Sequence, residues 1–150
     1  MNDDIKNIEN RIKQIIEKNE DSVKGFEKAA ENAKERGIKN YFEQRAQKRK
    51  LFIKTLHNAT PALQTGTMEI DGSVKGTMHR MWMDTKTFFT GDTDEAMLEE
   101  SVRGDRSAIS EYNELLTDAM VPHRIREIIK EQRDEIKNDL ETLQILEEIA

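Results

Sequence analysis

The amino-acid sequence predicts an all-α fold, a four-helix bundle built from two antiparallel helical hairpins joined by a long crossover. Three observations lead to this prediction. Apolar residues recur at the three- and four-residue spacing of packed helices in four long segments. Two boundaries between these segments are so short that each must be a tight turn, one at Gly37 and one near Val121. The third boundary, residues 60–92, is long enough to connect the two hairpins.

The first hairpin is predicted from two apolar stripes that follow each other directly. A first helix is expected from about Asp3 to Arg36, with Gly37 as its C-cap and a second helix from Ile38 to about Ala59. Polar residues interrupt the middle of the first stripe, which otherwise consists of Ile5, Ile8, Ile12, Ile15, Ile16, Val23, Phe26, Ala29, Ala30 and Ala33.

The crossover is expected to hold a loop, residues 60–72, and a short helix from Ser73 to Phe89. His79 and Trp82 lie one turn apart on that helix and share a face. They are either a lid over one end of the bundle or, as the preferred interpretation, a packing anchor with a polar edge.

The second hairpin begins where Thr93 or Asp92 caps a helix that runs to about Ala119. Pro122 is suited to the first turn of a helix and opens the last one. Two hairpins with one long crossover are the connectivity of ferritin-like bundles. The whole chain, residues 1–150, is expected to be a single four-helix-bundle domain.

Composition narrows the possible functions. The net charge of -6 disfavours nucleic acid and anionic membrane as main partners, because both require a concentrated basic face. The lack of cysteine excludes disulfides, thiolate metal ligands and cysteine nucleophiles. The acidic N-terminus shows no signal peptide and no segment resembles a membrane span, so a cytoplasmic location is expected.

Two arginines lie on the inward stripe of the second helix and need anionic partners. In a tight hairpin, residues whose numbers sum to about 76 share a layer. This places Arg49 beside Glu27 and Arg45 beside Glu31, with Asp105 of the third helix also within reach. The network is interpreted as a set of ion pairs that fixes the register of the helices, or alternatively as a pocket for a small anion.

The same layer argument in the second hairpin pairs Tyr112 with Gln132. These two side chains are expected to hydrogen-bond each other, or alternatively to bracket a buried water. No nucleotide-binding loop, nucleophile elbow or zinc-protease motif is present.

Four groups of residues resemble an uncharacterised bacterial family that is described as a ferritin-like four-helix-bundle domain of unknown function. They are Gly25-Phe26-x-x-Ala29-Ala30-Glu31, Phe42-Glu43-Gln44-Arg45-Ala46-x-x-Arg49, His79-Arg80-x-Trp82, and Leu98-Glu99-Glu100-x-x-Arg103-Gly104-Asp105 with Tyr112. The resemblance implies the fold and no established activity. The chain departs from the family pattern at Asp105, where glutamate is usual, and at Leu140, where a histidine is expected.

A di-metal carboxylate site is the first activity to consider in such a bundle. It requires Glu-x-x-His motifs on two helices, and no such motif occurs here. A carboxylate-only site for iron or manganese remains as an alternative, using Glu27, Glu43, Asp105 and a glutamate of the last helix.

The function expected from these observations is that of a non-catalytic protein-interaction or stress-associated bundle. A protein partner or a homodimer is expected, with no cofactor, no nucleic acid and no membrane. The alternative is a ferritin-like metal-binding protein or oxidase.

Overall fold

Four α-helices make up most of the residues that the structure, a computed structural model, describes, namely 2–61 and 93–149. They are α1 (Asn2–Asn32), α2 (Arg36–Ala59), α3 (Asp94–Leu116) and α4 (His123–Ile149), and no β-strand occurs among the described residues. The prediction of an all-α four-helix bundle is therefore confirmed for this part of the chain. The predicted short helix Ser73–Phe89 lies outside it.

Contacts between the hairpins give the direction of each helix. Near the start of α1, Arg11 contacts Asp118 just beyond the end of α3, and just beyond the end of α1 the backbone of Lys34 contacts Asp94 at the start of α3, so the two helices are antiparallel. Similarly, α2 and α4 are antiparallel, since Tyr41 bonds to the backbone of Asp139 and Gln132 to the backbone of Phe52. Every helix is thus antiparallel to both of its neighbours, while α2 and α3 lie diagonally opposite and run in the same direction. Consequently α2 ends and α3 begins at opposite ends of the bundle.

The core consists of two apolar clusters with a polar layer between them. The cluster near the α3–α4 turn contains residues such as Ile12, Ile16, Leu56 and Ile129. The cluster near the α1–α2 turn is built around Phe26 and Phe42, whose ring centroids are 6.1 Å apart, and contains Leu98 and Leu143. Buried polar side chains separate the two clusters: Asn19, Ser22, Arg45, Arg49, Ser101 and Asp105.

The α1–α2 turn differs from the sequence-based prediction. α1 ends at Asn32 and α2 begins at Arg36, so Gly37 lies in the first turn of α2 and is not the C-cap of α1. The physical reason is an acceptor on another helix. The carboxylate of Asp94 accepts hydrogen bonds at 2.8 Å from the backbone N–H groups of both Lys34 and Glu35. These bonds hold the turn in an extended conformation ahead of α2.

The start of α3 follows the prediction. Thr93 is its N-cap, and its hydroxyl accepts a hydrogen bond at 3.1 Å from the backbone N–H of Ala96. The last helix begins just after Pro122, whose carbonyl accepts a hydrogen bond from Arg126 N–H. Within the described ranges, no helix is both long and apolar enough to span a bilayer.

Candidate functional site

Asp105 of α3 lies at the centre of the polar layer. Its Oδ1 accepts a hydrogen bond from Arg45 Nη2 at 2.7 Å and another from Arg49 Nη2 at 2.9 Å. All three side chains are at least 98% buried, so the two cations share one carboxylate oxygen inside the protein. Such charge-assisted bonds are stronger than neutral ones, and the low dielectric of a core increases their strength further.

A continuous series of polar contacts extends from this centre to all four helices. Arg49 Nη1 donates to Asn19 Oδ1 at 2.8 Å, and Asn19 Nδ2 donates to the Tyr112 hydroxyl at 2.9 Å. The Tyr112 hydroxyl in turn donates to Gln132 Oε1 at 2.7 Å, and Gln132 donates to the carbonyl of Phe52. The expected bond between Tyr112 and Gln132 is therefore part of a longer chain.

On the other side of the centre, Arg45 reaches α4. Its Nη1 donates to the Tyr41 hydroxyl at 2.7 Å, and that hydroxyl donates to the backbone carbonyl of Asp139. Arg45 Nε lies 3.1 Å from Asp139 Oδ2 but is not aligned for a hydrogen bond, so this contact is an ion pair only. Lys48 binds the same carboxylate at 3.1 Å. The two arginines thus face two carboxylates, those of Asp105 and Asp139.

Aromatic rings complete the surroundings of the arginines. The guanidinium carbon of Arg45 is 4.5 Å from the ring centroid of Phe26, and that of Arg49 is 5.7 Å from the same ring. Contacts of this length add cation–π attraction to the ion pairs. Phe26 therefore joins the polar layer to the apolar cluster beneath it.

Burial and nearby charges shift the pKa values of the two arginines in opposite directions. For Arg45, burial lowers the pKa, but the charges of Asp105 and the other nearby groups outweigh it, so the pKa is raised overall. For Arg49, burial lowers the pKa, and the charge of Asp105 offsets only part of this effect. Guanidinium groups stay protonated in proteins, so both arginines are cations at neutral pH.

The two tyrosines of the network act as neutral hydrogen-bonding groups. Burial raises the pKa of Tyr112 to about 12, and it raises the pKa of Tyr41 further above its ordinary value. Both hydroxyls are protonated at neutral pH and can donate the hydrogen bonds described above. Neither tyrosine is therefore available as a base near pH 7.

Two sequence-predicted members of the network lie elsewhere. Glu27 is exposed and pairs with Lys50 at 3.1 Å, while Glu31 is exposed and lies 3.9 Å from Lys28. The layer rule is wrong for them because it estimates height along the hairpin and says nothing about rotation around the helix. Both glutamates stand one residue beyond a core position of α1, which turns them about 100° away from the core.

The carboxylates of the alternative metal site do not come together. Glu27 and Glu43 line a surface groove of about 420 Å³ between α1 and α2, whereas Asp105 is buried against two arginines. Within residues 2–61 and 93–149, no group of three or more His, Asp or Glu side chains is arranged to hold a metal ion. His79 and Trp82 lie outside the described residues.

Sequence reasoning missed several residues of the polar layer. Asn19 and Ser22 were visible as polar interruptions of the α1 stripe, but the layer rule placed His57 beside Asn19 and did not predict that both residues contact Arg49. Tyr41 and Asp139 carried no separate signal, because each lies beside an apolar stripe rather than within it. Glu17 and Asp21 of α1 are also fully buried, and both have interaction partners.

An open groove of about 810 Å³ lies between α2 and α4. Its apolar surface comes from Leu51, Phe52 and Ile128, and Gln132 of the polar network also lines it. Leu51 is 63% exposed, which is unusual for a leucine on a helix that packs into a core. Acidic side chains on both helices border the groove: Glu43, Glu131 and Glu135.

Comparisons with known proteins give a family for the chain. No curated protein and no solved structure matches it. A family model described as a domain of unknown function (DUF2383) matches residues 7–118, which include α2, α3 and most of α1. The chain therefore belongs to the DUF2383 family, a domain family of unknown function.

Proposed function

We propose that the protein is a non-catalytic helical bundle that acts through protein–protein association, with the α2–α4 groove as its binding face. The observation that carries this proposal is the groove itself. It combines an exposed leucine, an apolar floor and a charged border, all contributed by side chains of two helices. Interfaces typically have this composition, an apolar centre inside a polar rim.

The buried polar network is assigned a structural role in this proposal and not a role in ligand binding. Arg45 and Arg49 are balanced by Asp105 and Asp139, and neither guanidinium is accessible to a ligand from solvent. The Nη2 atoms of both arginines already donate to Asp105, so an anion at these atoms would have to compete with that carboxylate. The network is better suited to keeping four helices in register, which is the best-supported use of buried polar groups.

We also infer that the bundle is of the ferritin-like type. The antiparallel arrangement of every neighbouring pair supports this assignment, as does the placement of the ends of α2 and α3 at opposite ends of the bundle. The polar layer occupies the middle of the core with arginines, which does not favour the carboxylate-only metal site.

A photo-crosslinking experiment tests the binding face. A photoreactive amino acid replaces Gln44, which borders the groove, or Lys24, which is exposed on α1 as the control position. In cells that produce the protein, position 44 is expected to yield a discrete cross-linked polypeptide and position 24 is not. The additional substitution Leu51→Glu is expected to abolish the product.

Two outcomes would contradict the proposal. Absence of any specific product from position 44 removes the groove as a binding face. An equal product from positions 44 and 24 indicates non-specific collision. Mass spectrometry of the product and light scattering of the purified protein separate a homodimer from a different protein partner.

A further inference from the structure

We propose that the α2–α4 groove takes one amphipathic helix of a different protein, with apolar residues on one face and lysine or arginine residues beside them. This inference rests on the proposed function and specifies the partner of the same surface. Three properties of the groove carry it: the elements that form its walls, its length and the sign of its charge.

The walls select a helix over other peptide conformations. Both are α-helices whose backbone hydrogen bonds are internal, so no free strand edge is available for an added β-strand. Among the described residues that line the groove, Phe52 is aromatic and it is buried, so this part of the chain offers no exposed aromatic surface of the kind that polyproline segments require. A third helix can instead place its side-chain ridge between two neighbouring helices.

The length of the groove sets the size of the occupant. The α2 wall extends from Asn40 to Thr55, which corresponds to about 22 Å at the rise of an α-helix. A helix of about 15 residues, or four turns, covers this distance. Leu51 and Ile128 stand on opposite walls and provide the apolar contacts for its buried face.

The charge of the border selects a cationic partner. Glu43, Glu131 and Glu135 border the groove, and none of them forms an ion pair within the part of the chain that the structure describes. Glu131 and Glu135 are four residues apart on α4, so their like charges repel each other and a bound cation would relieve this repulsion. Lys48 is the one lysine among the described residues that line the groove, and it is already paired with Asp139.

The same charges disfavour a second copy of this chain as the occupant. In a two-fold dimer through this face the groove would pack against its own equivalent, which brings two sets of three glutamates into one interface. Like charges placed opposite each other across an interface oppose association. A basic helix has the complementary sign.

Two synthetic peptides of 15 residues test this inference, and fluorescence anisotropy with the full chain measures their binding. Both carry leucines at alternating three- and four-residue spacing, with lysines beside the leucines in one peptide and glutamates in the other. The lysine peptide is expected to bind at least about tenfold more tightly at low salt, and the difference should shrink as salt screens the charges.

Protein variants locate the peptide. Glu131→Gln combined with Glu135→Gln is expected to weaken lysine-peptide binding about tenfold, since each rim charge contributes modestly. The matched control changes two exposed glutamates of α3, Glu99→Gln with Glu114→Gln, and should leave binding unchanged. Circular dichroism of each variant verifies that the helices remain intact.

The outcomes separate this inference from the proposed function. Equal binding of both peptides, tighter binding of the glutamate peptide, or self-association that Leu51→Glu abolishes would overturn the basic-helix inference while the groove remains a binding face. Failure of both peptides to bind overturns the inference, and the photo-crosslinking result then decides separately whether the groove binds any protein.

Discussion

Arg49 in α2 and Asp105 in α3 approach to 2.9 Å, although their helices lie diagonally opposite in the bundle. Most contacts between helices of a bundle join neighbours, so this ion pair crosses the centre of the core. Arg45 reaches the same carboxylate oxygen from one turn away. The pair therefore fixes the position of α2 relative to α3 along the bundle axis. The remaining polar contacts connect this layer to α1 and α4.

Removal of the Asp105 carboxylate charge should lower the free energy of unfolding substantially. Asp105→Asn leaves two buried cations with less compensation, and breaking a buried ion pair typically costs about 3–5 kcal/mol. Urea unfolding followed by circular dichroism measures the loss in the free energy of unfolding. Glu99→Gln on the exposed face of α3 is the control, and a loss no larger than the control's would show that the network does not stabilise the fold.

Double-mutant cycles should give a larger coupling energy for the buried pair Arg49–Asp105 than for the surface pair Lys50–Glu27. Arg49→Met and Asp105→Leu are expected to couple by about 1–3 kcal/mol, because each single change leaves the other group buried without its partner. The comparison cycle uses Lys50→Met and Glu27→Leu, which should couple by less than about 1 kcal/mol in solvent. Comparable coupling in both cycles would contradict the distinction between the buried pair and the surface pair.

Asp94 should stabilise the opposite hairpin. Asp94→Ala removes two charge-assisted hydrogen bonds to the backbone of Lys34 and Glu35, with an expected cost of about 1–2 kcal/mol. Glu95→Ala is a matched control, because Glu95 shares the first turn of α3 and the same helix dipole. Hydrogen exchange should also become faster at Lys34 and Glu35 in the Asp94 variant only.

Alkaline pH should weaken the fold through the tyrosines. Burial raises the pKa of Tyr112 to about 12, so between its ordinary pKa and this value the folded state holds a proton that the unfolded state has lost. Stability is therefore complete below about pH 10 and falls as pH rises toward 12, by about 3 kcal/mol for this group. Tyr41 acts in the same direction. Tyr112→Phe should flatten part of this decline, and an unchanged slope would contradict the assignment.

Substitutions at two adjacent residues, one exposed in the groove and one buried in the core, should have different effects on stability. Leu51→Ala is expected to change the free energy of unfolding by less than about 1 kcal/mol, since the side chain is 63% exposed. Phe52→Ala removes a buried ring and should cost about 3–5 kcal/mol. Urea unfolding of the two variants measures both effects. A large loss at Leu51 would mean that this residue belongs to the core and not to a binding surface.

Much of the fold could be predicted from the sequence because helix boundaries have local causes. The spacing of isoleucines in α1, the cap at Thr93 and the proline before α4 each act within a few residues. Gly37 was assigned wrongly because a residue from a distant part of the chain, Asp94, determines the geometry of its turn. A single sequence gives no direct evidence for a hydrogen bond between residues 60 positions apart.

The sequence by itself determined that Arg45 and Arg49 point inward and that α1 is polar at Asn19 and Ser22. Only the tertiary structure decided that Asp105, and neither Glu27 nor Glu31, lies against the arginines. The reason is geometric. Residue spacing specifies height along a helix and the apolar stripe specifies which face turns inward, but the packing of four helices decides which inward side chains meet. A long arginine side chain can then pass its nearest neighbours and bind a carboxylate on the diagonal helix.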